Sequence, residues 1–149
     1  MSPVRQPGSQ PVVRLLDLRD APLDPGEVLA AVRDPAAGGV NLFLGEVRDH
    51  DGGQSVTSLD YSAHPSALDR LREVADGVVA EFDVVALAAV HRTGHLEIGD
   101  TAVIVAVAAA HRGEAYDASR ALIDRLKATV PVWKHQLFAD GQEEWVGSP

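Results

Sequence analysis

The sequence predicts an α+β protein, with helices flanking a mixed, mainly antiparallel sheet. Three observations carry this. Short strand-like runs interleave with three helical stretches in the order β-α-β-β-α-β-β-α-β-β, without the strict alternation of a parallel α/β fold. TAVIVAVAAA (101–110) is apolar on both faces, as a central strand covered from both sides must be. With 149 residues, 46% apolar and 23% charged, the chain is one ordinary domain able to bury its own core.

The elements follow in order. Residues 1–11 are rich in Pro, Gln, Ser and Gly and read as a flexible tail, with a single domain over 12–149. VVRLLDL (12–18) is a strand. Asp24-Pro25-Gly26-Glu27 opens a short helix, with Asp as cap, Pro at the first helical position and Glu three residues on; it reaches about Arg33. VNLFLGEVR (40–48) is a strand, DHDGGQ (49–54) a polar loop, and SVTSLDYSA (55–63) a strand expected to pair back on 40–48 as a hairpin. His64-Pro65-Ser66 precedes a helix over 66–81, with Leu68, Leu71, Val74, Ala75, Val78 and Val79 at helical spacing. DVVALAAVHR (83–92) is a buried strand and GHLEIGD (94–100) a turn-rich connection. A helix over 114–129 ends before Pro131. VWKHQLF (132–138) and EEWV (143–146) are strands joined by the turn ADGQ.

Composition excludes several functions. The formal charge is −9, which argues against non-specific nucleic-acid binding and anionic membranes. The longest apolar run, Ala102 to Ala110, is far short of the roughly 20 residues of a membrane helix. The N-terminus has no apolar signal-peptide core, so a cytoplasmic location is expected. There is no cysteine, so thiolate nucleophiles, disulfides and Cys-ligated metals are out. His91 and His95 lack an evident third metal ligand, and Asp49-x-Asp51 lacks the spacing of a calcium loop. No metal or cofactor is expected.

Of the 13 basic residues eleven are Arg, and the only lysines are Lys127 and Lys134. An ammonium can shift its pKa and exchange a proton while a guanidinium cannot, so two lysines surviving in an Arg-biased chain are informative. Lys127 continues the helical stripe Tyr116, Arg120, Ile123. On a strand Lys134 shares a face with Val132 and Gln136, while Trp133 faces the opposite way, toward the expected core. Two ammonium groups in one cleft depress each other's pKa and make one a usable amine. His111-Arg112 sits where a strand gives way to a helix, a junction that either binds an anion or merely caps and pairs locally. Arg48, by itself, reads as an exposed strand-end Arg.

The blocks GGVNLFLGEVRDHDGGQSV, AVHRTGHLEIGD and AAAHRGEAYDASRALIDRLKATVPVWK, with Gly141-x-x-x-Trp145, resemble in order and spacing the large catalytic subunit of molybdopterin synthase, the MoaE family. The likeness runs over about residues 12–146. It implies an α/β-hammerhead fold and a homodimer within a heterotetramer. The expected partner is a small ubiquitin-like sulfur-carrier subunit whose C-terminal Gly-Gly thiocarboxylate enters a pocket. Sulfur then passes to cyclic pyranopterin monophosphate, forming the molybdopterin dithiolene. Lys127 matches the catalytic lysine and Lys134 a second pocket lysine. Arg48, His111 and Arg112 match substrate-binding residues. Phe43 matches a wall of the carrier-tail channel, and Ile123 takes the place of a pocket Met. The family often has an acid where this chain has Gln136.

A protein that transfers sulfur without cysteine must receive it activated on a partner, which agrees with this implication. Arg48, His111 and Arg112 are expected to converge on one anion site. The alternative is a non-catalytic module that keeps fold and carrier but has lost catalysis. The two retained lysines favour the enzyme.

Overall fold

The computed structural model describes residues 10–147, so the tail expected over 1–11 lies almost wholly outside the described residues. β1 (Val13–Arg19), β2 (Gly39–Glu46), β5 (Ala86–Arg92) and β7 (Thr101–Ala109) form a four-stranded sheet in the order β1-β5-β7-β2. Its one parallel pair is β1 with β5, and the others are antiparallel. β7 is central and buried along nearly its whole length, as its two-faced apolar run demands. One face packs against α1 (Pro25–Ala31) through Val28 and Val32, with Ala88, Ile104 and Ala106. The other packs against α2 (Ala67–Glu81) and α3 (Arg112–Thr129), where Leu71, Val78, Leu122 and Leu126 meet Leu87, Val105 and Val107. The Asp24 carboxylate caps α1 by accepting from Gly26 N–H at 2.9 Å, the cap its sequence predicts.

A second sheet of five strands stands beside the first. β4 (Gln54–Ala63) pairs antiparallel with β8 (Val132–Phe138), and β8 with β9 (Glu143–Gly147). β3 (His50–Asp51) and β6 (Gly94–Glu97) also join β4. Both lie in segments read from sequence as irregular. They are too short for a periodicity of their own, and tertiary pairing makes them strands. The framework remains α+β and mainly antiparallel, but it is two sheets rather than one.

The expected hairpin between residues 40–48 and 55–63 does not form. β2 pairs with β7 instead, matching Gly39 to Ala109 and Leu44 to Ile104. Central β7 needs a neighbour on each side. The turn signal Gly52-Gly53 serves a smaller hairpin, β3 with β4. Both glycines have positive φ (59° and 81°), as a tight two-residue turn requires. Among the described residues no helix is long and apolar enough to cross a membrane.

Candidate functional site

Where the two sheets meet the C-terminal end of α3 there is a cavity of about 270 Å³. α3 contributes Lys127 and β8 contributes Lys134 and Gln136. The segment leaving β2 brings Glu46, Val47 and Arg48, and the small hairpin brings His50 and Asp51. Leu59 and Tyr61 of β4 complete the wall. Three of the predicted site residues, Arg48, Lys127 and Lys134, thus come together from segments up to 86 positions apart in sequence.

Local structure explains how each is held. Val130 and Pro131 turn the chain out of α3, so Lys127 and Lys134 face one space from a helix and a strand. The 92–100 block braces the base of Arg48. Val47 N–H donates to the Asp100 carbonyl at 2.9 Å, and Gly99 N–H donates to the Val47 carbonyl at 2.7 Å. The Asp100 carboxylate receives Glu97 N–H at 2.9 Å and pairs with Arg92 at 3.3 Å. Gly94, at φ 86°, leaves no room for a side chain beside the Asp20 carboxylate.

The electrostatics differ among neighbours. Burial, then the nearby charge of Lys134, pushes the Lys127 ammonium below the ordinary lysine value. Burial raises the Tyr61 phenol. Beneath it His91 stacks edge-on, ring centroids 4.9 Å apart, with Nδ1 at 2.7 Å from the Arg92 carbonyl. Burial chiefly, and Lys127 in part, holds His91 down to about 4, so it is neutral at pH 7. The Asp51 carboxyl is lowered first by the hydrogen bond from Gln136, then by the charges of Lys134 and Arg48. A lysine of lowered basicity can lose its proton and act as a nucleophile, or as the ammonium donate one, while Arg48 and Lys134 can hold an anion.

His111 and Arg112 do not join this cavity. Gly39 abuts Arg112, Asn41 accepts a hydrogen bond from Ser119 at 2.8 Å, and Glu46 and Lys127 share the cavity, so β2 and α3 run side by side in the same direction. Fifteen helical residues span about 22 Å, which separates Arg112 from Lys127. The expected convergence within one chain therefore fails, because the two motifs lie at opposite ends of one helix. His111 makes no side-chain cap, and among the described residues Arg112 has no ion pair or side-chain hydrogen bond. Both are exposed. Phe43 and Ile123 lie between the two ends of the β2–α3 seam, outside the cavity itself. Phe43 is 39% exposed, and Ile123 packs partly on the core.

Trp133 is not core. It sits half-buried with its ring steeply inclined to that of His64, and the buried side of β8 is the one carrying Gln136 and Phe138. Glu46, Tyr61, His91 and Asp51 were missed as site residues by sequence reasoning. The face shared by Lys134 and Gln136 was the one available pointer. His91 and His95 do not approach a common point. His91 faces Tyr61, whereas His95 pairs with Asp60 and Glu97.

Comparison with known proteins gives the family and the fold. Residues 18–129 match the family model described as MoaE protein. The molybdopterin synthase catalytic subunit 1 of Mycobacterium tuberculosis is 44% identical over 148 residues, covering 99% of this chain and 98% of that protein. The crystal structure of molybdopterin synthase from Staphylococcus aureus superposes with a TM-score of 0.82 at 31% identity, covering 88% of this chain and 96% of that one. A solved complex of subunits 1 and 2 of molybdopterin-converting factor from Helicobacter pylori shares the fold, with a TM-score of 0.68 at 21% identity over 89% of each chain.

Proposed function

Because this chain belongs to the MoaE family, we propose that its two-lysine cavity transfers sulfur to cyclic pyranopterin monophosphate, from the C-terminal thiocarboxylate of a small ubiquitin-like carrier. At the coarser level it is an enzyme, a catalytic subunit of molybdopterin synthase in molybdenum cofactor biosynthesis. The observation that carries the finer reading is the pairing of Lys127 with Lys134. The chain has only two lysines, and both line one cavity.

The chemistry follows from the residues. Arg48 and Lys134 hold the substrate's phosphate by charge-assisted contacts. The carrier tail runs along the β2–α3 seam past Phe43 and Ile123, and its thiocarboxylate ends beside Lys127. The carrier's sulfur bonds to a pterin carbon as that carbon's C–O bond breaks and the oxygen leaves protonated; the acyl C–S bond then breaks, leaving the sulfur on the pterin. The acyl carbon passes to water, directly or after transient bonding to Lys127 Nζ. In the direct route Lys127 supplies the proton to the departing oxygen of the substrate. Repeating the cycle installs the second sulfur of the dithiolene. With no cysteine in the chain, the sulfur arrives on the partner.

His111 and Arg112 can serve the same anion only from a second copy, since α3 holds them about 22 Å from their own Lys127. This supports a homodimer, each protomer binding one carrier to make a heterotetramer, with the reaction in the cytoplasm. Nothing in the reading requires a cofactor, nucleic acid or membrane. The test is to mix the chain with thiocarboxylated carrier and the pyranopterin substrate. Dithiolene product is expected. Carrier binding without product would leave a binding module instead.

A further inference from the structure

The small hairpin that carries Arg48 toward the cavity has little of its own to hold it there. β3 is two residues long, and a side chain at Gly52 or Gly53 would meet nothing within 4 Å, so its tip projects into open space. Among the described residues, one side-chain hydrogen bond ties residues 48–53 to a distant strand. Gln136 Nε2 donates to Asp51 Oδ2 at 2.5 Å, across 85 positions of sequence. The other carboxylate oxygen, Oδ1, faces Arg48 Nη2 at 4.0 Å.

The two ends of that bond are held unequally. Gln136 is only 2% exposed, and a buried amide without a partner is costly, so its donor is committed to Asp51. Arg48 has a 79% exposed side chain, with Asp51 as its single ion-pair partner among the described residues. Gln136 and Lys134 project from the same face of β8. A carboxylate anchored on Gln136 therefore fixes where the arginine stands relative to Lys134. Asp51 also carries charge at neutral pH, so it is a directional partner for the guanidinium.

We propose that Asp51, anchored by Gln136, is a positioning residue that holds the Arg48 loop over the lysine cavity, so that Arg48 and Lys134 meet the substrate's phosphate together. This rests on the sulfur-transfer reading above. Asp51 does not touch the reacting atoms. It acts through Arg48 and through the closed state of the hairpin.

The pair can be broken and rebuilt. Asp51→Ala removes the anchor. Gln136→Glu sets a second carboxylate against the first. Asp51→Asn with Gln136→Glu restores an amide–carboxylate pair with the roles exchanged. With thiocarboxylated carrier saturating, Asp51→Ala and Gln136→Glu should each raise KM for the pyranopterin substrate about tenfold with kcat within about twofold. The double variant should return KM to within about threefold of the unaltered protein. Amide hydrogen exchange over residues 48–54 supplies a readout that needs no turnover. It should quicken in both single variants and slow again in the double. Unchanged KM and exchange in Asp51→Ala, or a double variant no better than Gln136→Glu alone, would overturn the proposal. If the unaltered protein itself forms no product, the sulfur-transfer reading fails, and the exchange data still decide whether Asp51 holds the loop.

Discussion

The two ends of α3 carry basic side chains in opposite settings. At the C-terminal end Lys127 lines a cavity with Lys134, where desolvation lowers its basicity, and rests near a neutral His91. At the N-terminal end His111 and Arg112 stand exposed. Desolvation makes the difference chemical. An ammonium partly desolvated in a cavity beside a second ammonium gives up its proton more readily, while a guanidinium stays charged and can only bind. One helix thus presents an amine of lowered basicity at one end and an exposed guanidinium at the other, about 22 Å apart.

The largest expected effect breaks the reactive end. Lys127→Arg keeps the charge but removes amine nucleophilicity and proton exchange. Turnover should fall by about a hundredfold or more, the scale of a lost acid–base or nucleophilic group, with carrier binding and melting temperature unchanged. Single-turnover assay of dithiolene formation reads this. Lys134→Arg, which keeps an anion anchor, should retain more activity in the same assay.

The neutral wall beneath that end gives the next effect. Unfolded His91 takes up a proton near 6.5, and folded His91 only near 4, so the unfolded state binds more protons between those values. Its contribution is complete above pH 6.5 and is lost as pH falls to 4, amounting to about 3 kcal/mol. Urea unfolding from pH 7 to pH 4 should show this fall, and His91→Gln should flatten it. An equal slope in the variant would assign the acid sensitivity to the carboxylates.

The smaller effect sharpens the comparison at the anchor end. Arg112→Ala should weaken substrate binding by about 1.5–3 kcal/mol, the size of a lost charge-assisted contact. Since that arginine can reach the anion only from a neighbouring copy, mixing Arg112→Ala chains with Lys127→Arg chains at limiting substrate should give more activity than either has alone. Heterodimers would then hold one intact site. No recovery after verified subunit exchange would remove Arg112 from the site.

How much of this was legible in the sequence depended on the range of the interaction. The helices and long strands announced themselves through local period and caps, as at Asp24 and along Ala102–Ala109. The lysines stood out by scarcity. β3 and β6 did not, because two- and four-residue strands exist only through their partners. The pairing of β2 with β7 was hidden because it is set by what central β7 needs, not by the turn nearest in sequence. The Asp51–Gln136 bond spans 85 residues and leaves no local pattern. Trp133 was misjudged since the polar Gln136 turned out to be the buried neighbour, its amide satisfied by that same bond. The resemblance named His111 and Arg112 together with Arg48, but only the length of α3 shows that they sit apart from Lys127.

The central claim is that burial has made one of the two lysines a proton-exchanging amine. Reductive methylation with a carbon-13 label marks Lys127, Lys134 and the N-terminus alone, and Lys127→Arg identifies which resonance is which. The Lys127 resonance should titrate clearly below the roughly 10.4 of a free lysine and should vanish in the variant. A Lys127 resonance titrating at the free-lysine value would contradict the account and leave the cavity a purely electrostatic anion site.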